Sequence, residues 1–281
     1  MMRAAGWDRL PAAESQVDLG LRDKVVIVTG GGFGIGAAIS HACAAEGAIP
    51  VIINNDGDAI QANLEVMRRA GQRFGFVPMW LDTPESCRNA VEQVLAEFGR
   101  VDALVNHIGV NDHVGLEHGT PETFLESVKR NLWHYYSMAH YCLPALKESR
   151  GTIVNTASKV GYTGQGETSG YAAAKGGVLA LTREWAVELA PYGIRVNAIV
   201  PSEVWTAAYE AWLATFPEPA GRKTVITRNI PLELRMTTPK EIADTVVFLL
   251  SERSSHTTGQ HVFVDGGYVH LDRASTAHRT D

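Results

Sequence analysis

The chain reads KVVIVTGGGFGIG from Lys24 to Gly36, and this stretch carries the strongest structural signal in the sequence. Residues 24–29 are apolar and mostly β-branched, which predicts a short strand buried on both faces. A glycine-rich turn follows, and residues 37–46 have helical composition up to Gly47. A strand–turn–helix unit of this kind, here with the spacing Thr-Gly-x-x-x-Gly-x-Gly, predicts a dinucleotide site, because glycines let the pyrophosphate approach the backbone and the helix N-terminus favours negative charge. The predicted contacts are Gly30, Gly32, Phe33, Gly34 and Ile35.

A second predicted strand, residues 48–54, ends where the adenosine ribose of such a cofactor lies. Asn54, Asn55 and Asp56 stand there and offer partners to a hydroxyl group but no cation to a phosphate. We therefore expect NAD in preference to NADP, with Asn54 near the ribose. Asp82 follows a predicted third strand over 76–81, and either meets the adenine or caps the next helix.

Strands and helices alternate along the rest of the chain. A long helix is predicted over 121–147, strands over 151–156, 194–200 and 261–264, and further helices from 170 and over 239–250. This alternation predicts one α/β domain over 21–281, built on a single doubly wound parallel sheet with helices on both faces. Residues 1–20 are expected to be a loose tail. Residues 202–236, with three prolines and mixed polarity, are predicted to be a lid over the substrate.

The sequence YAAAK, from Tyr171 to Lys175, opens a predicted helix, and Ser158 lies upstream of it. A spacing of four places the tyrosine and the lysine on one helical face. A nearby ammonium favours the phenolate, so we expect the pKa of Tyr171 to fall from about 10 towards the range useful for acid–base catalysis. Ser158 could hold the oxygen whose proton moves. The same spacing is also common on ordinary helices, so the motif does not identify a site by itself.

Composition sets outer limits on the function. The 281 residues are 45% hydrophobic and carry a formal net charge of −6, which argues against nucleic acid or an anionic membrane as a partner. No apolar run reaches transmembrane length, and residues 1–20 lack the apolar core of a signal peptide. Cys43, Cys87 and Cys142 are expected to be reduced core thiols of a cytoplasmic protein. The ten histidines show no metal-binding spacing, so no metal site is predicted.

Motifs from Thr29 to Gly267 together resemble the short-chain dehydrogenase/reductase family. They are TGGGFGIG at 29–36, NHIG at 106–109, Asn131, Ser158, YAAAK at 171–175, RVNAIVP at 195–201 and VDGG at 264–267. Two positions depart from the family pattern: Ile108 stands where alanine is usual, and Ser202 stands where glycine is usual.

The resemblance implies an NAD(P)-dependent oxidoreductase and, in solution, a homotetramer. Tyr171 would be the acid–base group, and Ser158 would orient the substrate oxygen. Lys175 would lower the pKa of the tyrosine and bind the nicotinamide ribose, and Asn131 would hold a water in a proton relay. Further cofactor contacts are implied at Asn106, Gly109, Tyr171, Lys175, Pro201, Val204 and Thr206.

Within this family the chain is most similar to bacterial L-fucose dehydrogenases, which oxidise the anomeric carbon of a sugar to a lactone. The stretches that carry the similarity include 109–112, 131–142, 163–171, 181–187, 255–259 and 265–274. Independently, polar side chains follow three predicted strands, at the edge of the sheet where ligands bind. The resulting candidates for contact with sugar hydroxyls or the sugar ring are Asn111, Asp112, Lys159, Gln165, Glu203 and Trp205, with Trp212 as an alternative to Trp205.

Three functions remain open from the sequence. A sugar dehydrogenase is favoured, because a site for several hydroxyls needs this many polar groups. A reductase of an apolar ketone is second, and a nucleotide-sensing protein without catalysis is third, since a fold does not fix a function.

Overall fold

The computed structural model describes residues 18–271, and these form a seven-stranded parallel sheet with the strand order β3-β2-β1-β4-β5-β6-β7. The strands are β1 Val25–Thr29, β2 Ile49–Asn54, β3 Gly75–Pro78, β4 Ala103–Asn106, β5 Thr152–Thr156, β6 Arg195–Pro201 and β7 His261–Val264. The helices are α1 Gly34–Ala45, α2 Asp58–Arg69, α3 Pro84–Phe98, α4 Pro121–Val128, α5 His134–Ser149, α6 Ser169–Leu189, α7 Ala207–Leu213, α8 Pro219–Thr227 and α9 Pro239–Leu250. This confirms the predicted doubly wound, Rossmann-type α/β fold.

The two faces of the sheet bury separate apolar cores. Along β1, Val25 and Ile27 point into the core formed with α3, α5 and α6, whereas Val26 and Val28 point into the core formed with α1 and α9. Alternate residues of a strand face opposite sides, so burial of both sets requires helices on both faces. That explains why the predicted strands are nearly continuous apolar runs.

The strand order reverses between β2 and β4, on either side of β1. Chain segments diverge at such a switch point and leave a crevice beyond the C-terminal ends of the strands. The glycine-rich turn after β1 lies at this crevice, as do the ends of β4, β5 and β6.

Two elements differ from the sequence-based expectation. The third strand ends at Pro78 and not at residue 81, because its partner β2 ends at Asn54, which pairs with Pro78. The helix expected over 121–147 is interrupted by a π-helical turn, Lys129–Trp133, between α4 and α5. Such turns insert one residue into a helix and occur often at functional sites.

The N-terminal segment and the cysteines were also addressed by the sequence. Residues 18–20 of the predicted tail are described, and Arg253 Nε donates to the Asp18 carbonyl at 3.0 Å, whereas residues 1–17 lie outside the described part of the chain. Cys43, Cys87 and Cys142 are buried free thiols, as predicted. Within residues 18–271, no helix is long and apolar enough to cross a membrane, and no cluster of three potential ligands could hold a metal ion.

Candidate active site

A cavity of about 940 Å³ lies beyond the C-terminal ends of β1, β4, β5 and β6. The glycine-rich turn borders one side, the start of α6 borders the other, and residues of α7 and α8 form a third wall. A second cavity of about 540 Å³ shares Phe33, His107 and Gly109 with the first and reaches Asn54 and Asp82. The two form an elongated cleft, with room for a dinucleotide along the sheet edge and for a substrate under α7 and α8.

The glycine-rich turn has the geometry of a phosphate cradle. Gly30 and Gly34 adopt left-handed φ angles of +69° and +55°, which disfavour residues with a side chain. A Cβ on Gly36 would lie 2.0 Å from the Gly30 carbonyl oxygen, so only glycine fits where the turn meets α1. The N-cap residue Phe33 makes no side-chain capping bond, and the first turn of α1 contains no acidic residue. The first N–H groups of α1 are therefore available to an anion, and these residues fit the pyrophosphate of NAD(P).

The far end of the cleft has the polar residues expected near an adenosine. Asn54 Oδ1 accepts a hydrogen bond from the Gly32 amide at 3.3 Å, and its Nδ2 donates to Asn55 Oδ1 at 2.7 Å. The alternative role of Asp82 as a helix cap is wrong, because Thr83 caps α3 through a capping box with Ser86. Asp82 consequently remains exposed and borders the second cavity.

Ser158, Tyr171 and Lys175 come together in the first cavity. Ser158 follows β5, and its hydroxyl is near enough to the Tyr171 phenol to lower the pKa of that phenol. Tyr171 and Lys175 share one face of α6, as the spacing predicted, and Lys175 Nζ lies 5.6 Å from the centre of the Tyr171 ring. The amine itself donates to the Thr156 carbonyl at 2.7 Å and to the Tyr135 hydroxyl at 2.9 Å.

The pKa of Tyr171 shifts in the direction opposite to the sequence-based expectation. Desolvation raises the pKa of Tyr171 to about 12, although Ser158 lowers it, and Asp112 contributes to the rise. Burial lowers the pKa of Lys175 to about 7. Loss of water around the phenol therefore outweighs any stabilisation of the phenolate by the Lys175 ammonium.

Asn131 lies in the π-helical turn and is fully buried. Its Oδ1 accepts from the Val110 amide at 2.7 Å, and its Nδ2 donates to the Ser127 carbonyl at 3.0 Å. A Cβ on Gly109 would lie 3.0 Å from Asn131 Oδ1 and 3.2 Å from Lys175 Nζ. Asn131 and Lys175 thus flank the same small space beside Gly109, although Asn131 does not line either cavity.

Two opposite charges meet in the substrate half of the cavity. Lys159, in a short 3₁₀ turn after β5, forms an ion pair with Glu203, which follows β6. The Lys159 side chain is only 10% exposed and that of Glu203 only 16%. The Tyr209 hydroxyl donates to the second Glu203 oxygen at 2.6 Å, which attaches α7 to the pair.

Most of the other predicted residues line the cleft, and four do not. Those that line it are Gly30, Phe33, Gly34, Ile35, Gly109, Asn111, Gln165, Pro201, Val204 and Thr206. Asn106 is instead buried and donates a hydrogen bond to Asn155. The Asp112 carboxylate accepts a hydrogen bond from the Ser127 hydroxyl at 2.7 Å and pairs with the Arg130 guanidinium at 3.5 Å. Trp205 packs under Lys223, whereas the alternative Trp212 faces the cavity. Gly32 borders the adenosine end only through its bond to Asn54.

Several residues around the site could not be predicted from the sequence, because the course of the helices that carry them was unknown. Tyr209 and Arg222 line the cavity from α7 and α8, and Tyr135 contacts Lys175 from behind. One local signal was available: Thr206 caps α7 by accepting from the Tyr209 amide at 3.2 Å. A helix starting at this threonine brings Tyr209 back to within reach of Glu203.

A crevice at the switch point, a glycine cradle and a Ser–Tyr–Lys group in one cleft define a dinucleotide-dependent oxidoreductase. Comparison with known proteins agrees. The family model described as enoyl-(acyl carrier protein) reductase matches residues 31–269. The chain therefore belongs to the short-chain dehydrogenase/reductase family, whose members use NAD(P).

Individual relatives point to more than one substrate. L-fucose dehydrogenase of Bos taurus is 36% identical over 87% of this chain and 88% of its own. The 3-oxoacyl-[acyl-carrier-protein] reductase FabG of Thermotoga maritima is 35% identical over 89% of this chain and 99% of its own. Among solved structures, the Cj0485 dehydrogenase is 44% identical, with a TM-score of 0.87 over 92% of this chain and 98% of its own.

Proposed function

We propose that this enzyme oxidises an aldose at C1 to the lactone, and that L-fucose or a sugar of the same configuration is the substrate. The observation that carries the proposal is the buried Lys159–Glu203 pair in the substrate half of the cavity. Burying two charges is costly, so their place in a substrate cavity favours a ligand with several hydroxyl groups. The similarity to L-fucose dehydrogenases supports the same substrate class.

The chemistry follows from the positions of Tyr171 and Ser158. NAD, held by the glycine-rich turn and by Lys175, would supply the acceptor for the hydride that leaves C1. Tyr171 removes the proton of the anomeric hydroxyl, while Ser158 hydrogen-bonds to the same oxygen and holds it in place. Loss of the proton and the hydride converts the C1–OH group of the hemiacetal into the lactone carbonyl. Lys175 and Asn131, on either side of the space beside Gly109, are proposed to return the proton to solvent through water.

The other hydroxyl groups of the sugar are proposed to contact Lys159 and Glu203. The ammonium donates hydrogen bonds and the carboxylate accepts them, so together they suit two neighbouring hydroxyl groups. Asn111 and Gln165 lie on the opposite wall and complete the polar lining. Trp212 offers an apolar surface to one face of the ring.

We also propose that NAD is preferred over NADP. Asn54 and Asn55 border the cleft at the end of β2, which carries no lysine or arginine, and the cations of this cavity, Lys129 and Arg130, belong to the π-helical turn. Comparing kcat/KM for the two cofactors tests this preference, and a higher value for NADP would contradict it.

Membership of this family also supports a homotetramer, which sedimentation velocity can test. The three free thiols are consistent with a reducing, cytoplasmic location.

Reduction of an apolar keto group is the second candidate. The aromatic side chains Tyr209, Trp212 and Phe216 line part of the cavity, and the FabG relative is as similar as the sugar enzymes. An apolar substrate, however, offers no hydrogen-bonding groups to the Lys159 ammonium and the Glu203 carboxylate.

The decisive experiment is an activity panel in both directions. L-fucose, L-galactose and D-arabinose share the configuration at C2 to C4 and should all reduce NAD, whereas epimers at these carbons should react far more slowly. A β-ketoacyl thioester with NADPH tests the alternative. Tyr171→Phe provides the blank for both assays. The sugar proposal is wrong if none of the three sugars reacts and the thioester does.

A further inference from the structure

Tyr135 lies directly behind the Lys175 amine and was not among the residues that the sequence singled out. It is the second residue of α5, just after the π-helical turn, and its side chain is 1% exposed. Its hydroxyl donates to the Thr156 carbonyl at 3.0 Å and accepts from Lys175 Nζ at 2.9 Å. Lys175 Nζ also donates to the same carbonyl at 2.7 Å. Three polar atoms thus form a closed triangle at the end of β5.

This triangle defines the role of each atom. Because the Tyr135 proton is directed at the Thr156 carbonyl, a lone pair of the phenol oxygen faces the lysine. Burial also raises the pKa of Tyr135 well above its ordinary value, so the phenol stays neutral. Tyr135 therefore acts as a fixed, uncharged hydrogen-bond acceptor for Lys175.

Lys175 has few other groups to stabilise its charge. Its amine makes no salt bridge within residues 18–271, and burial is what lowers its pKa. The titratable groups around it are Tyr171 on α6, Tyr135 and His134 on α5, and His107 after β4. Burial lowers the pKa of both histidines to about 4, so they are neutral at pH 7 and bring no opposite charge. Asp112 acts on Tyr171 and is itself bonded to Ser127 and Arg130.

We propose that Tyr135 is a positioning residue for the reaction: it holds the amine of Lys175 at the end of β5, beside Tyr171 and within reach of the cofactor ribose. This inference rests on the role proposed above for Lys175. The Tyr135 hydroxyl gives the Lys175 ammonium part of the stabilisation that a carboxylate partner gives to buried lysines in other proteins. A hydrogen bond to a charged group matters more than one between neutral groups, so its loss should be measurable.

The test compares Tyr135→Phe with Tyr136→Phe, the same change one residue further along α5. The Tyr136 side chain is 56% exposed and stacks on His140, whereas Lys175 is buried. In protein labelled with ¹³C at lysine Cε, the Lys175 signal is assigned with Lys175→Met and followed as a function of pH. Tyr135→Phe is expected to lower the pKa of Lys175 and to reduce kcat about tenfold or more. Tyr136→Phe should leave both unchanged.

Two results would overturn the proposal. One is an unchanged Lys175 titration in Tyr135→Phe, whatever happens to activity or to the melting temperature, because a loss of packing alone would then explain any defect. The other is equal loss in the two variants. If Lys175→Met itself retains full activity, the proposed role of the lysine fails, but the titration still reports whether Tyr135 holds its amine.

Discussion

At the residue scale, the Tyr171 phenol, which lies beside Ser158, is the proposed acid–base group. Tyr171→Phe keeps the ring and removes only the hydroxyl, so kcat should fall by about 100-fold or more. Cofactor affinity, measured by NADH fluorescence, should change less than about twofold. Tyr162→Phe is the matched control, because that phenol lies at the surface and hydrogen-bonds to His261. Retention of more than a tenth of kcat would exclude Tyr171 from the role.

Lys159 and Glu203 permit stability and recognition to be separated. Removing one partner leaves the other charge largely buried and unpaired, so Lys159→Met or Glu203→Gln should each cost about 1–3 kcal/mol of unfolding free energy. The double variant should recover most of that loss. It should still have a KM for sugar raised at least about tenfold, since both hydroxyl partners are gone.

Urea unfolding of the parent, the two single variants and the double variant measures the stability. Initial rates with L-fucose measure the KM for the sugar. Recovery of sugar affinity together with stability in the double variant would show that the pair is only structural. Strictly additive losses of stability would show that the two side chains do not interact in solution.

At the element scale, the junction between the glycine-rich turn and α1 depends on one absent side chain. Gly36→Ala places a Cβ 2.0 Å from the Gly30 carbonyl, so the turn must shift away from α1. We expect NADH binding to weaken at least about 100-fold while the protein remains folded, because the phosphate cradle is lost.

Gly176→Ala is the control for that change, since Gly176 also lies in a helix and a Cβ there meets no atom within 4 Å. It should bind NADH normally and gain up to about 1 kcal/mol of stability, because alanine favours the helix. Titration by isothermal calorimetry decides the matter: similar affinities in the two variants would contradict the predicted role of the turn.

Local sequence signals defined most elements but not their interruptions. The buried strands were predictable because each is an apolar, β-branched run between turn residues. The end of β3 was not, since it depends on where its partner β2 stops at Asn54. The π-helical turn around Asn131 also has no composition of its own. It joins α4, which packs against α6, to α5, which packs against β4 and β5.

At the scale of the whole molecule, sequence motifs placed the glycine cradle and the group of Ser158, Tyr171 and Lys175 in one cleft. What they could not give was the effect of burial on those groups. The pKa of Tyr171 rises to about 12 because the fold removes water from the phenol, a property of the assembled core and not of the YAAAK spacing. Likewise, the contact of Tyr135 with Lys175 joins residues forty positions apart in the chain.

The buried Lys175 should make global stability depend on pH. Its pKa is about 7 in the folded protein, against about 10.4 in an unfolded chain. Between these values the unfolded state binds the proton that the folded state has lost, so this group makes unfolding free energy rise with pH from about 7 to 10. Below pH 7 the lysine is charged in both states, and the full cost of burying the charge is present.

Lys175→Met should remove that cost. We expect the variant to be inactive yet more stable than the parent by about 1–3 kcal/mol at pH 7, since a functional residue is replaced by an apolar one of similar length. The difference in unfolding free energy between the variant and the parent should shrink as the pH approaches 10. There Lys175 is neutral in the folded parent, so folding no longer buries a charge. Urea unfolding at pH 7 and pH 9.5 measures it, with Lys240→Met, whose side chain is 81% exposed, as the control. A gain in stability that stays constant over this range would mean that packing, and not the buried charge, distinguishes the two side chains.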